Sequence, residues 1–284
     1  MKNMAFLRPL GLTDSDIDLF LAYIKKYRGV DLSFYRKTFL SRRLQGRFEA
    51  VGAANILEYV KILKVHREEW ERFIDKLSIN VSEFFRDWEV FKFFRDRCIA
   101  DMVEAKLRRG SHYIRCWSCG CSCGEEPYSL AILFREALRQ NDAKFFIKIH
   151  ATDVDEDALS QAREGEYERK ALINCARMGD DLLGKYFTFV SGGRYRVKDE
   201  IKSMVSFERH NLLTDKPLEH IDVVFFRNVQ IYFSRTSVDD IVLKINNGLN
   251  KYGYLVLGKV ETIGARVRSY MDLVSPNNKI FKKI

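Results

Sequence analysis

The stretch Tyr113-Ile114-Arg115-Cys116-Trp117-Ser118-Cys119-Gly120-Cys121-Ser122-Cys123-Gly124-Glu125-Glu126-Pro127-Tyr128 decides the fold class. Tyr113 to Trp117 suits a strand. Two glycines then let a ligand approach the backbone, and a helical pattern follows with Pro127 in its first turn. Outward from this stretch, short apolar runs over Phe145 to Ala151, Val205 to Glu208, Val223 to Phe226 and Tyr254 to Leu257 alternate with helical segments. The alternation predicts an α/β domain of parallel strands with crossover helices, its pattern starting at His112. Between Lys185 and Val197, two aromatic-rich runs flank Ser191-Gly192-Gly193, the signal of a hairpin and of a small inserted β element.

Upstream the pattern is all-helical. Thr13 followed by Asp16 marks a helix start, and Ile17, Phe20, Leu21, Ile24 and Tyr27 recur on one helical face. A second helix is expected from near Ser33, with Phe34, Leu44 and Phe48 turned inward. Arg36, Arg43 and Arg47 fall on an adjacent stripe, since separations of seven and four residues return to nearly the same angle. From Arg36 to Arg47 there are five basic residues and no acid, a run that ordinarily forms a solvated face. Further helices are expected over Ala54 to Val65, Glu68 to Leu77 and Val90 to Leu107.

The 284 residues suffice for one large domain or two smaller ones. Hydrophobic residues at 46%, aromatics at 13% and only four prolines exclude a disordered or collagen-like chain. A net charge of +9 favours an acidic partner without naming it. The apolar runs fall far short of the roughly 20 residues a spanning helix needs, and the opening residues lack the features of a secretory leader, so a cytoplasmic protein is expected. Four cysteines crowd into eight residues (Cys116, Cys119, Cys121, Cys123), a spacing that suits neither disulfides nor the paired knuckles of zinc sites. They are read as reduced thiols, with no metal.

The glycines after the first strand alone also fit an ordinary strand-to-helix turn. Glu125 and Glu126 narrow the choice, because carboxylates at a helix entrance repel phosphate and suit a ligand with cationic and hydroxyl groups. The second strand ends in Thr152-Asp153, 29 residues beyond Gly124, where an acid can accept both ribose hydroxyls. Together these features point to S-adenosylmethionine (SAM) rather than a dinucleotide.

Five segments in order then resemble one family. They are Asn80-Val81-Ser82-Glu83-Phe84-Phe85-Arg86-Asp87, Trp117 to Ser129, Ala151-Thr152-Asp153-Val154-Asp155, Asn211-Leu212-Leu213 and Arg227-Asn228-Val229-Gln230-Ile231-Tyr232-Phe233. They look like the chemotaxis receptor methyltransferases, the CheR family, over nearly the whole chain. The resemblance implies an all-helical receptor-docking domain over 1–85 and a Rossmann-like methyltransferase domain over 86–284, with its β insert at about 185–198. It implies methyl transfer from SAM to glutamate side chains on the cytoplasmic helical bundle of a methyl-accepting chemotaxis receptor, leaving S-adenosylhomocysteine. Asn80, Ser82, Arg86, Glu126, Asp153, Asn211, Leu212, Asn228 and Val229 match the family's cofactor-binding positions. Arg86 and Tyr232 match residues that position the reacting carboxylate and the methyl donor, and Arg36, Arg43 and Arg47 are candidates for receptor docking. The short loop through Ser191-Gly192-Gly193 resembles members that use no carboxy-terminal receptor tether.

The chain departs from the family pattern at Ser82, Cys119, Cys123 and Gln230, and more at Gly258-Lys259-Val260-Glu261, where relatives commonly carry histidine and serine between the glycine and the glutamate. Two other functions compete. An RNA methyltransferase would suit the basic charge, but amine-modifying enzymes need a polar-Pro-Pro-aromatic segment that Asn228-Val229-Gln230-Ile231 lacks. A non-catalytic SAM-binding signalling protein would not require Arg86 and Tyr232.

Overall fold

The structure, a computed structural model, describes residues 12–77, 82–139, 144–179 and 181–284. It divides into two compact units. One comprises the described residues up to 77 together with Tyr232–Ser237; the other comprises the remainder.

The first unit is built from α1 (Asp14–Arg28), α2 (Lys37–Val51), α3 (Ile56–Val65) and α4 (Arg67–Asp75). Thr13 and Asp16 form a reciprocal capping box: the Thr13 hydroxyl accepts from the Asp16 amide, and the Asp16 carboxylate accepts from the Thr13 amide. Such a cap contributes about 1 kcal/mol. Gly29, at φ 67°, ends the helix in the left-handed conformation. Ile17, Phe20 and Ile24 from α1 join Leu40, Leu44 and Phe48 from α2, and Tyr59, Leu63 and Phe73, in one apolar core. Tyr27, expected on the inner face, is half exposed. The second helix begins at Lys37 rather than near Ser33, because Ser33 is held in a turn by Asp31, whose carboxylate accepts from the Ser33 amide and hydroxyl.

The second unit carries a seven-stranded sheet formed by β1 (Tyr113–Cys119), β2 (Phe146–Asp153), β6 (Val205–Arg209), β7 (Ile221–Phe226), β8 (Leu249–Leu257), β9 (Met271–Ser275) and β10 (Ile280–Lys283). The order is β6-β2-β1-β7-β8-β10-β9. The first five strands pair in parallel, while β10 pairs antiparallel with both β8 and β9. That closing hairpin lies beyond the last strand the apolar runs disclosed. β7 is buried at every position, as a central parallel strand covered on both faces must be. A helical stretch runs through α5 (Trp88–Phe93), a π-turn over Phe94–Ile99 and α6 (Ala100–Arg108). It packs Phe91 and Phe94 against Phe225 of β7. α7 (Glu125–Ala137) follows β1, and α8 (Glu156–Glu164) follows β2.

The smaller sheet is antiparallel, ordered β3 (Glu166–Glu168), β5 (Arg194–Val197), β4 (Phe187–Val190). β4 and β5 form the hairpin across Ser191–Gly193, where Gly192 and Gly193 take φ 73° and 75°. β3 adds a third strand that is too short to read as apolar alternation.

Candidate active site

β1 has β2 on one side and β7 on the other: the chain passes from β1 outward through β2 to β6 and then crosses back to β7, so the strand order reverses at β1. In open parallel sheets, this switch point is where the crevice for a ligand forms. The loop after β1 is folded back on β2: the amides of Gly120 and Cys121 donate to the Thr152 carbonyl at 2.8 and 3.0 Å. Gly120 has φ 66°, and a Cβ there would lie 2.7 Å from Val229 Cγ2. Only glycine meets both demands, so the β1 loop and the segment after β7 sit closer than side chains would permit.

Four of the sequence-derived residues gather here. Asp153, at the end of β2, accepts from the Ser122 amide at 2.8 Å through Oδ2 and from the Asp155 amide at 3.1 Å through Oδ1. The Val154 amide also donates to this carboxylate, which retains capacity to accept a hydroxyl. Burial pushes its carboxyl above the ordinary range, against the pull of those amides. Glu126, in the first turn of α7, accepts from the Ser118 hydroxyl at 2.7 Å and faces Arg227 Nη1 at 3.5 Å. Its carboxyl is also raised, mainly by burial, with Arg227 opposing. Val229 closes against Gly120, and Asn228 takes the left-handed conformation at φ 60°.

Asn211 follows β6 beside this group, since the adjacent His210 amide donates to the Asp153 carbonyl and the His210 ring stands edge-on to Trp117. Asn211 Oδ1 accepts from the Leu213 amide, while Lys244 Nζ reaches the Leu212 carbonyl at 3.4 Å. Ser82 is half-buried, and Asn80 lies outside the described residues. Arg86 sits between two left-handed residues, Phe85 at φ 52° and Asp87 at φ 56°. A buried phenylalanine in that conformation is strained by about 1 to 3 kcal/mol, and strain of this kind concentrates at functional sites. The Phe85 amide is held by the Ser129 hydroxyl at 2.8 Å, tying the turn to α7.

Tyr232 belongs to the helical unit. Its ring lies 5.2 Å from Phe39, and its carbonyl accepts from the Arg36 amide at 2.9 Å. Arg36 Nε donates to the Phe233 carbonyl at 2.7 Å, and the Arg43 guanidinium stands over the Phe39 ring at 5.2 Å. Arg47 is committed internally. It forks onto Glu69, which is 3% exposed and also accepts from the Tyr59 hydroxyl at 2.8 Å. Burial works to raise the Glu69 carboxyl, but Arg47 and Tyr59 outweigh it and hold it below its usual value.

Two residues with no role assigned from sequence organise the site. Glu261, 3% exposed, accepts from the amides of Asn228, Gln230 and Gly258 at 3.0, 2.9 and 2.6 Å. It therefore staples the segment after β7 to the one after β8. Arg227, with a side chain 1% exposed, pairs with Asp87 at 2.7 Å as well as Glu126. Lys259 also pairs with Asp87, at 3.2 Å, so the departure from the family pattern extends this charge network. A charge directly after the apolar run Val223 to Phe226 was the available signal for Arg227; nothing in the sequence marks Glu261 as buried.

The donor set matches SAM. Glu126 and Asp153 offer negative charge and hydroxyl acceptors, whereas the entrance of α7 carries two carboxylates that oppose phosphate. Among the described residues, no cluster of side chains suits a metal ion. The cysteines are free thiols. Burial raises Cys116, Cys119 and Cys121 well above their ordinary range and Cys123 by less.

The profile of the CheR methyltransferase SAM binding domain matches residues 80–279, and that of the CheR methyltransferase all-alpha domain matches residues 15–78. The chain belongs to the CheR methyltransferase family. Similar curated proteins include the chemotaxis protein methyltransferase of Borreliella burgdorferi, 33% identical over 258 residues, covering 89% of this chain and 90% of that one. Chemotaxis protein methyltransferase 1 of Pseudomonas aeruginosa is 33% identical, covering 89% and 92%. The chemotaxis protein methyltransferase of Salmonella typhimurium is 31% identical over 269 residues, covering 92% and 88%. The helical domain followed by an α/β SAM-dependent methyltransferase domain is thus both the family's organisation and this chain's. None of its described helices is long and apolar enough to cross a membrane.

Proposed function

We propose that this protein methylates glutamate side chains on the cytoplasmic helical bundle of a chemotaxis receptor, using SAM and releasing S-adenosylhomocysteine in the cytoplasm. The observation that carries the reading is the pair of carboxylates, Glu126 in the first turn of α7 and Asp153 at the end of β2, in a chain whose relatives are named chemotaxis protein methyltransferases. Glu126 receives the ammonium of the methionine moiety, and Asp153 receives the ribose hydroxyls. Ser82, Arg86, Asn211, Leu212, Asn228 and Val229 complete the cofactor-binding set, with Asn80, which lies outside the described residues, as its remaining member.

SAM supplies a methyl group on a sulfonium, which is already an activated leaving group. A substrate glutamate with an ordinary pKa near 4.3 is ionised at neutral pH, so no general base is needed. Alignment is what remains to be supplied, and ideal orientation can contribute roughly 7 to 11 kcal/mol. Arg86 holds the carboxylate by charge-assisted hydrogen bonds, and the Tyr232 hydroxyl orients it. On the helical unit, Arg36 and Arg43 frame Phe39 and Tyr232, which favours acidic receptor helices docking along α2 without a peptide tether.

Incubation with labelled SAM and receptor cytoplasmic fragments tests the reading. Alkali-labile label on glutamate is expected, with transfer lost in Arg86→Ala. Label in RNA, or tight SAM binding without any transfer, would refute it. Arg43→Glu should weaken receptor methylation and leave cofactor binding intact.

A further inference from the structure

Arg227 leaves the end of β7 and buries its guanidinium, with the side chain 1% exposed. Nη2 donates to Asp87 Oδ2 at 2.7 Å and to the Arg86 carbonyl at 3.0 Å, while Nη1 faces Glu126 Oε2 at 3.5 Å. The guanidinium also stands over the Phe91 ring at 5.4 Å. A buried cation is costly unless paired, and this one has a carboxylate on either side. It therefore joins the turn that carries Arg86 to the helix that carries Glu126.

We propose that Arg227 is a positioning residue for methyl transfer: it holds Glu126 aimed at the cofactor's ammonium while pinning the Arg86–Asp87 turn. The inference rests on the reading of Glu126 as a cofactor-binding carboxylate. Around Glu126, Ser118 and Arg227 favour the charged form, while Glu261, Cys119 and Cys121 oppose it whenever they carry negative charge. Burial already raises the Glu126 carboxyl, and Arg227 is the foremost influence opposing that rise. Without the guanidinium, Glu126 would hold its proton to higher pH, and a neutral carboxyl forfeits the charge-assisted part of its bond to an ammonium.

The test measures the dissociation constant of S-adenosylhomocysteine by calorimetry from pH 5.5 to 8.5. It uses the full chain as wild type, R227M, E126Q and E126Q/R227M, with the Glu126 carboxyl followed by carbon NMR in the ligand-free protein. The loss of affinity on acidification, taken relative to E126Q, should begin about one pH unit higher in R227M than in wild type. At a fixed pH on that limb this is about a tenfold weakening. The carboxyl resonance should titrate with the same displacement, and E126Q/R227M should follow E126Q at every pH. An R227M profile parallel to wild type, or a displacement that survives in the double variant, would overturn the proposal. If R227M does not fold, R227K carries the test. Its retained charge should keep the wild-type pH profile while turnover falls, and a displaced profile there refutes the idea. Wild-type affinity preserved in E126Q would instead overturn the cofactor role of Glu126, and the inference with it.

Discussion

Replacing Glu125 by glutamine should stabilise the protein, and only above acidic pH. Glu125 is 7% exposed at the start of α7, and its Oε2 takes no hydrogen bond among the described residues. Burial raises its carboxyl from 4.5 to about 7, so folding favours the protonated form. Below pH 4.5 both folded and unfolded states hold the proton, and Glu125 costs nothing. Between 4.5 and about 7 the unfolded chain releases the proton first, so stability falls with rising pH; above 7 the full difference is reached. At 1.36 kcal/mol per pH unit the penalty is about 3 kcal/mol. Glutamine copies the neutral acid in shape and cannot ionise. Urea unfolding of wild type and Glu125→Gln should therefore coincide near pH 4.5 and diverge to about 3 kcal/mol at pH 8, and thermal unfolding at pH 8 should show a gain of roughly 6 to 12 °C in Tm. A constant offset across this range, or no offset at pH 8, would refute burial of the carboxyl as the cause.

Arg47→Ala should cost about 3 kcal/mol in unfolding experiments, because it strands Glu69 in the helical core with only Tyr59, while affinity for S-adenosylhomocysteine stays unchanged. Gly120→Ala should weaken that affinity by forcing a Cβ to within 2.7 Å of Val229, and Gly120→Ala/Val229→Ala should recover part of it in the same titration. Asp153→Ala should lower cofactor affinity by roughly 10- to 100-fold, the worth of one charged hydrogen-bonding group at about 1.5 to 3 kcal/mol.

What the sequence disclosed followed from period and punctuation. The strand-glycine-helix passage around Gly120 placed the sheet, and the acid closing β2 placed Asp153 beside the β1 loop. The Thr13 cap placed α1, and the doubled glycine placed the β4–β5 turn. What it hid depends on distance along the chain. The Arg47–Glu69 fork joins residues 22 apart, so a stripe of like charges read from α2 alone could not reveal that one member faces inward. Arg227 and Asp87 are 140 residues apart, and Glu261 and Asn228 are 33 apart. Pairings of that range are set by sheet order, which periodicity does not encode. The closing β10–β9 hairpin escaped because Asp272, Lys282 and Lys283 interrupt any apolar run.

The six residues Tyr232–Ser237 have a practical bearing on how the gene can be cut. A fragment starting at residue 80 would retain Tyr232 in its chain but would lack Phe39, on which the ring leans, and Arg36, which clasps the carbonyls of Tyr232 and Phe233. Under the role proposed for Tyr232, turnover numbers from such a truncation would describe a tyrosine released from its setting.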